Sequence, residues 1–410
     1  MKVLYITYDG LLDPLGSSQI LPYLIGINDS SKSIFIISVE KPERYSKDFE
    51  KLNRELLDKN IYWEPLLFSQ RFGVFGKIWD FLKMYLTASK LSFSKKINIV
   101  HARGHISAQV ASFLKQIFKV RYIFDFRGLW VDERVDKGGW NLEKSFDKLQ
   151  YKYFKFKEIK LLNNADHIVL LTNKVRDEIC RISETKQDKL TVIPCCADFN
   201  HFTLQTPSKK LSSREILGIP NNSLVFGFLG SVGPMYLIDD YFKFIELIYK
   251  KYALIDIDVF GLLITNDLDA ANFAKRRIVN EDLNKNIIVL STGRDQVPAL
   301  LHSLDVLISF ISSTYARQAS SPTKIAESFA CGIPIISNQG VGDVEDQINN
   351  INGGKIIPNT LQETLENILP SLDEIVALER KSIRNKAREF LSLDIALQRY
   401  KDVYSKIHSI

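Results

Sequence analysis

Val225-Phe226-Gly227-Phe228-Leu229-Gly230-Ser231-Val232-Gly233-Pro234 stands just past the middle of the 410-residue chain, and its reading decides the fold. An apolar run ends in a glycine turn, and a helical stretch follows from about Asp239 to Tyr252. Strand, turn and helix in that order are the repeating unit of a parallel sheet, whose strands are covered on both faces and therefore read as continuous apolar runs. The chain opens with the same rhythm. Val3–Tyr8 reads as a buried strand, followed by the turn Asp13-Pro14-Leu15-Gly16-Ser17-Ser18-Gln19 and a helix from about Gln19. Further strands are predicted at Ile34–Val39, Ile97–Ala102, Tyr122–Asp125, Ile168–Leu171 and Thr191–Ile193, with a helix from Ser107 to Lys119. Beyond Val225–Leu229 come Ile257–Phe260, Ile287–Leu290, Val306–Phe310 and Ile333–Ser337, a helical Ser321 to Cys331, and a strongly helical tail from Ser371 to His408. A single barrel would not restart at its middle, so the chain reads as two α/β units of roughly 190–200 residues each. Thr203–Ser213, with Pro207 and several Ser and Lys, reads as the linker.

Composition narrows the class. Apolar residues at 45% and charged residues at 25% exclude a disordered or fibrous chain. No apolar run is long enough to span a bilayer, and the opening residues lack the apolar core and cleavage site of a signal peptide. Cys180, Cys195, Cys196 and Cys331 contain no CxxC pair, which fits a reducing, cytoplasmic setting, and neither Cys nor His spacing fits a metal site. The net charge of +6 is uneven: residues 1–200 hold 32 Lys+Arg against 24 Asp+Glu, and the rest hold 22 against 24. A basic first half suits an anionic partner, or is simply a solvated lysine-rich surface.

Ligands of open parallel sheets bind where strand ends enter helix N-termini. Three turns qualify. Gly16 and Ser17 form the first, where glycine admits close backbone approach and the next helix offers free N–H groups. Gly230 and Ser231 form the second, which matches neither a GxGxxG nor a Walker pattern. The third is Ser320-Ser321-Pro322-Thr323-Lys324-Ile325-Ala326-Glu327, continuing to Cys331-Gly332-Ile333-Pro334. Here Ser321 suits an N-cap and Pro322 the first helical position. Lys324 in the first turn opposes the helix dipole, which makes sense if an anion sits on the helix end and both bind it. Glu327 lies one turn deeper on the same face and suits a ribose or sugar hydroxyl; the alternative is an i,i+3 ion pair with Lys324. In the first half, His101, Arg103 and Arg127 end adjacent strands. The arginines can clamp phosphate or carboxylate, or pair with Asp125, and His101 reads as a packed strand-end residue. Asp239-Asp240 reads as a helix cap.

At these residues the chain resembles the family-4 retaining glycosyltransferases of the GT-B fold, over essentially its whole length. Asp9 through Gln19 resembles their N-terminal glycine loop. Val192-Ile193-Pro194-Cys195-Cys196-Ala197-Asp198 resembles their interdomain hinge, Lys324 through Pro334 their "EAxAxGxP" helix and turn, and Gly340-Val341-Gly342-Asp343 the loop after it. The resemblance implies two Rossmann-like domains facing each other across a deep cleft: an acceptor domain over residues 1–200, joined by a returning helix at about 394–410, and a nucleotide-sugar domain over 201–393. It implies that Glu327 holds the donor ribose, that Gly230 and Ser231 face the diphosphate, that Gly293 and Arg294 lie at the base, and that Ser321, Thr323, Gly16 and Ser17 belong to the donor surroundings. Three positions depart from the family pattern. Ala319 replaces the first Glu of "E-x7-E", Pro234-Met235-Tyr236 replaces the usual Arg and Lys, and Arg103 replaces a second His. Lys324, Arg103 and Arg127 are the expected replacements, with His101 beside them as a catalytic candidate.

The resulting expectation is a metal-independent, cofactor-free hexosyltransferase. It moves a sugar with retention from a nucleoside-diphosphate donor, UDP-linked, to a glycan or lipid-linked acceptor in cell-surface or exopolysaccharide synthesis, with no nucleic-acid partner. The alternatives are a sugar-nucleotide hydrolase or epimerase of the same fold, and a non-catalytic nucleotide-sugar-binding protein. Residues 143–162 carry six lysines among Tyr151, Tyr153, Phe154 and Phe156. Such a helix rests peripherally on the anionic inner face of a membrane, or turns its aromatics into its own domain.

Overall fold

A computed structural model describes residues 1–69 and 73–409. It contains two compact units, Met1–Pro194 with Ala396–Ile410, and Cys195–Ile395. The first is built on a sheet of seven strands: β1 (Lys2–Thr7), β2 (Ser33–Glu40), β3 (Ile61–Leu67), β4 (Ile99–Arg103), β5 (Arg121–Asp125), β6 (His167–Leu170) and β7 (Leu190–Val192). Their order is β3-β2-β1-β4-β5-β6-β7, and every pairing is parallel. The second unit repeats the plan with β8 (Leu224–Leu229), β9 (Val259–Ile264), β10 (Ile287–Leu290), β11 (Val306–Ser309), β12 (Ile335–Asn338) and β13 (Gly354–Ile357), ordered β10-β9-β8-β11-β12-β13 and again parallel.

Burial explains the apolar runs. In β8, Val225 and Leu229 join one core layer and Phe226 and Phe228 the other, so the central strand is covered on both faces. The C-terminal helix Leu393–His408 buries Ala396, Tyr400, Val403, Tyr404 and Ile407, one face at helical spacing, and returns to the first unit. There Tyr400 packs edge-on against Tyr23, and the Arg399 guanidinium donates to the Val192 carbonyl at 3.0 Å.

Several local expectations are corrected. Thr203–Ser213 is no linker: Thr206 caps a helix at Pro207–Leu217, and Arg214 on it is buried, donating to Asp305 at 2.6 Å. The single helix from Gln19 is two short ones, Pro14–Gln19 and Leu21–Ile27, broken at Ile20 (φ −121°, ψ −61°). Asp239 and Asp240 do not cap their helix, Ile238–Ala253; they lie in its first turn, where carboxylates favour the dipole, and pair with Arg277 and Lys243. Two edge strands, β3 and β13, are absent from the sequence reading: Glu64-Pro65 interrupts the first and Gly353-Gly354 opens the second. None of the four cysteines forms a disulfide.

Candidate functional site

The second unit gathers most of the expected donor residues at the carboxyl end of β8. Gly230 follows the strand at φ +116°, a conformation that favours glycine, and a Cβ there would meet Lys324 Nζ at 3.3 Å. Lys324 lies in the first turn of the helix Thr323–Ala330. Its ammonium sits 4.7 Å from the Phe228 ring centroid and 4.4 Å from that of Tyr236, and has no hydrogen-bond partner among the described residues. The side chain is 6% exposed, and burial drives its pKa from 10.5 down to about 7, against the smaller opposing pull of Glu327. A buried ammonium set against two π faces and without a hydrogen bond among the described residues is a strong demand for an anion.

Glu327 is not the ion-pair partner of Lys324. It accepts from Arg294 Nη1 at 3.1 Å, while burial raises its pKa against the pull of Arg294. Arg294 opens the short turn Arg294–Gln296 after Gly293, and its guanidinium lies 5.5 Å from the Phe202 ring centroid. His201 Nε2 approaches the Arg294 carbonyl at 3.4 Å. Ser231 donates to Asp267 Oδ2 at 2.5 Å, and the Val232 N–H donates to the same oxygen at 2.8 Å, so Asp267 pins the glycine turn. The Ser231 hydrogen bond is also the main reason the Asp267 pKa is lowered.

Ser321 is not the N-cap; Pro322 occupies that position, Thr323 begins the helix, and Ser321 Oγ accepts from the Cys195 N–H at 3.0 Å. Ala319 is buried, at the end of a 3-10 turn. The contributions of Phe228, Tyr236, Asp267 and His201 are absent from the sequence reading. Only Tyr236 had a signal, as an aromatic standing where cations are usual.

In the first unit, β1, β4 and β5 end at a cavity of about 260 Å³ lined by Tyr8, Asp9, Arg103, Gly104, His105, Ile106, Arg127, Gly128, Trp130 and Glu133. Arg103 reaches Asp9 at 3.4 Å and Asp125 at 3.6 Å, and Arg127 reaches Asp125 at 3.4 Å. Burial alone would raise the Asp125 carboxyl. Arg127, His101 and Arg103 overcome it and leave the group well below the ordinary carboxylate range. His101 is a core residue and does not line the cavity: it is 2% exposed and bonded through Nδ1 to Tyr404 Oη at 2.6 Å. Behind the wall runs an unforeseen chain, from His105 to Glu158 (2.7 Å), Lys155 (2.6 Å), Asp132 (2.9 Å) and Tyr151 (2.8 Å). Gly16 is spent on packing, since a Cβ there would lie 2.2 Å from the Gly10 carbonyl oxygen, and Ser17 bonds back to the Pro14 carbonyl. Among the described residues, no cluster of three His, Cys, Asp or Glu could hold a metal, and no helix is long and apolar enough to cross a membrane.

Two parallel six- and seven-stranded sheets, each with candidate ligand groups at its strand ends, define an α/β protein of the GT-B class. Comparison agrees: HepE from Anabaena, solved with UDP and glucose, superposes with a TM-score of 0.71 over 99% of both chains at 16% identity. A glycosyltransferase from Rickettsia africae gives 0.70 at 18% identity, over 99% of this chain and 98% of that one. The family described as "Glycosyl transferases group 1" matches residues 209–390, and "Glycosyltransferase Family 4" matches residues 46–201. The D-inositol 3-phosphate glycosyltransferase of Corynebacterium urealyticum is 20% identical over 317 residues, 74% of this chain and 71% of that protein. The chain belongs to the group 1, family 4 glycosyltransferases.

Proposed function

We propose that the protein transfers a hexose with retention from a UDP-linked donor to a hydroxyl of a glycan or lipid-linked acceptor, in cell-surface polysaccharide synthesis on the cytoplasmic side. The observation that carries the donor half is the buried, unpartnered Lys324 ammonium beside the Gly230 turn. HepE, with the same fold, is solved with UDP-glucose, which supports a UDP-linked donor.

In this reading the diphosphate lies against Gly230, Ser231 and the first turn of Thr323–Ala330, including Thr323 and with Ser321 behind it. Lys324 supplies the charge that other members draw from residues after the glycine turn. Glu327, held by Arg294, accepts from a ribose hydroxyl, and Gly293 and Arg294 border the base. The bond from the anomeric carbon to the β-phosphate oxygen breaks through an oxocarbenium-like state while Lys324 and the helix N–H groups stabilise the departing diphosphate. The departing phosphate oxygen takes the acceptor proton, so neither a protein nucleophile nor a metal is required. Arg103 and Arg127, at the rim of the first unit's cavity, bind an anionic acceptor group.

The test is a panel of nucleoside-diphosphate sugars incubated with acceptor, with the product anomer read by NMR. The reading expects transfer from a UDP-sugar with the donor's anomeric configuration kept. An inverted product, or donor hydrolysis with no transfer, would overturn it.

A further inference from the structure

Three helices of the first unit lie side by side: Gly73–Lys95, Gly104–Phe118 and Ser145–Asn164, the middle one packed against both others. Tyr85 meets Phe113 edge-on at 5.1 Å across the first contact, and Asn164 donates to Ser112 across the second. Their outer faces are unusual. On Gly73–Lys95, Phe75, Ile78, Trp79, Leu82, Leu86 and Phe93 are all exposed, Phe75 to 80% and Phe93 to 78%. On Ser145–Asn164, Phe146, Leu149, Tyr153 and Phe156 are exposed, while Tyr151 and Phe154 turn inward to Asp132 and to Trp130 and Trp140. Large apolar side chains repeated at helical spacing on the outside of the two flanking helices exceed what a free surface ordinarily carries.

The charge around them has one sign. Exposed lysines flank the ridge: Lys77, Lys90 and Lys95 on the first helix, and Lys148, Lys152 and Lys160 on the third. Lys160 lies 4.4 Å from the Phe156 ring centroid, a charged head beside an aromatic body. The three helices contain only three carboxylates, and none is exposed: Asp80 and Glu158 are buried and paired, and Asp147 accepts from the Asn141 N–H. Apolar ridges between lysines, with Trp79 among them, match the acyl boundary and headgroup layer of an anionic bilayer. A second copy fits less well, because a two-fold contact across this face sets lysine against lysine.

We propose that this three-helix face docks the protein on an anionic lipid bilayer, with Phe75, Trp79, Leu86, Phe146 and Phe156 entering the interface and the flanking lysines meeting the headgroups. The proposal stands apart from the assignment of the sugar-nucleotide site, because none of these side chains lines that site.

Co-sedimentation of the full chain with vesicles of phosphatidylcholine, with and without phosphatidylglycerol, tests it. Binding to the anionic vesicles alone, falling with added salt, is expected. Lys148→Glu with Lys152→Glu should weaken binding by at least about 25-fold, at about five-fold per lysine. Trp79→Ser with Leu86→Ser should abolish it. Every substituted side chain is exposed, and thermal melts together with UDP-induced stabilisation report that the variants remain folded. Equal binding to neutral and anionic vesicles, binding to neither, or retention by the serine variant would overturn the proposal. So would a concentration-dependent dimer dissolved by the serine pair, which would give the face to a second copy.

Discussion

Replacing Lys324 by methionine should make the free protein more stable and the enzyme far slower. The side chain is buried, and its ammonium lies over the rings of Phe228 and Tyr236 with no hydrogen-bond partner among the described residues. An unfolded lysine holds its proton to about pH 10, whereas this one releases it near 7 in the folded chain. Below pH 7 the folded state therefore carries the full cost of a desolvated charge. From pH 7 to 10 the folded state binds fewer protons than the unfolded one, and stability rises with pH as the cost is relieved. A depression of that size sets an upper limit of about 5 kcal/mol on the cost, which relaxation and water entry lower. Methionine keeps the length and packs well on aromatic rings. We expect Lys324→Met to stabilise the second unit by about 2 kcal/mol at pH 6, raising its melting midpoint by about 4–8 °C, with the gain fading towards pH 10. The same change should lower kcat by about 100-fold, because the lost charge acts on the departing diphosphate. The wild-type protein should also take up most of a proton when UDP binds at pH 8, as the bound diphosphate recharges Lys324. Calorimetry in buffers of different ionisation enthalpy measures that uptake. A destabilised, fully active variant and no proton uptake would refute the reasoning.

Glu327→Gln should raise KM more than it lowers kcat, since the ribose does not react; a kcat loss larger than the KM change would place Glu327 at the reacting sugar. EDTA should leave initial rates of transfer unchanged, and activity lost and then restored by magnesium or manganese would move the diphosphate charge from Lys324 to a metal. Tyr404→Phe should cost about 1–2 kcal/mol by leaving His101 Nδ1 without its bond in the core, with kcat within about two-fold of wild type; a much larger loss of kcat would return His101 to the chemistry. Gly16→Ala should destabilise the first unit by about 2–3 kcal/mol or more, read by chemical denaturation, because the added methyl strikes the Gly10 and Leu11 backbone.

Strand positions were legible wherever a strand lies inside a sheet, because burial on both faces leaves an uninterrupted apolar run such as Val225–Leu229. The edge strands β3 and β13 escaped because an edge tolerates proline, glycine and charge, which are the same residues that mark loops. At the proposed donor site Lys324 and Glu327 stood out, through a cation placed against the helix dipole. What the cation faces did not, since Phe228 and Tyr236 come from a strand and a loop about ninety residues earlier and only tertiary packing brings them to it. The same holds for Arg294, which takes Glu327 away from the local i,i+3 pairing that sequence spacing suggests. His101 shows the reverse: its strand-end position reads as packed, the family resemblance alone made it a catalytic candidate, and the returning C-terminal helix buries it with Tyr404.

Hydrogen exchange of the full chain with and without saturating UDP tests the central claim most directly. The account predicts slowed exchange at the amides of Gly230, Ser231 and Val232, at Thr323 to Glu327 in the first turns of their helix, and at Arg294. Unchanged exchange at these amides, or protection confined to the segments around Arg103 and Arg127, would contradict it.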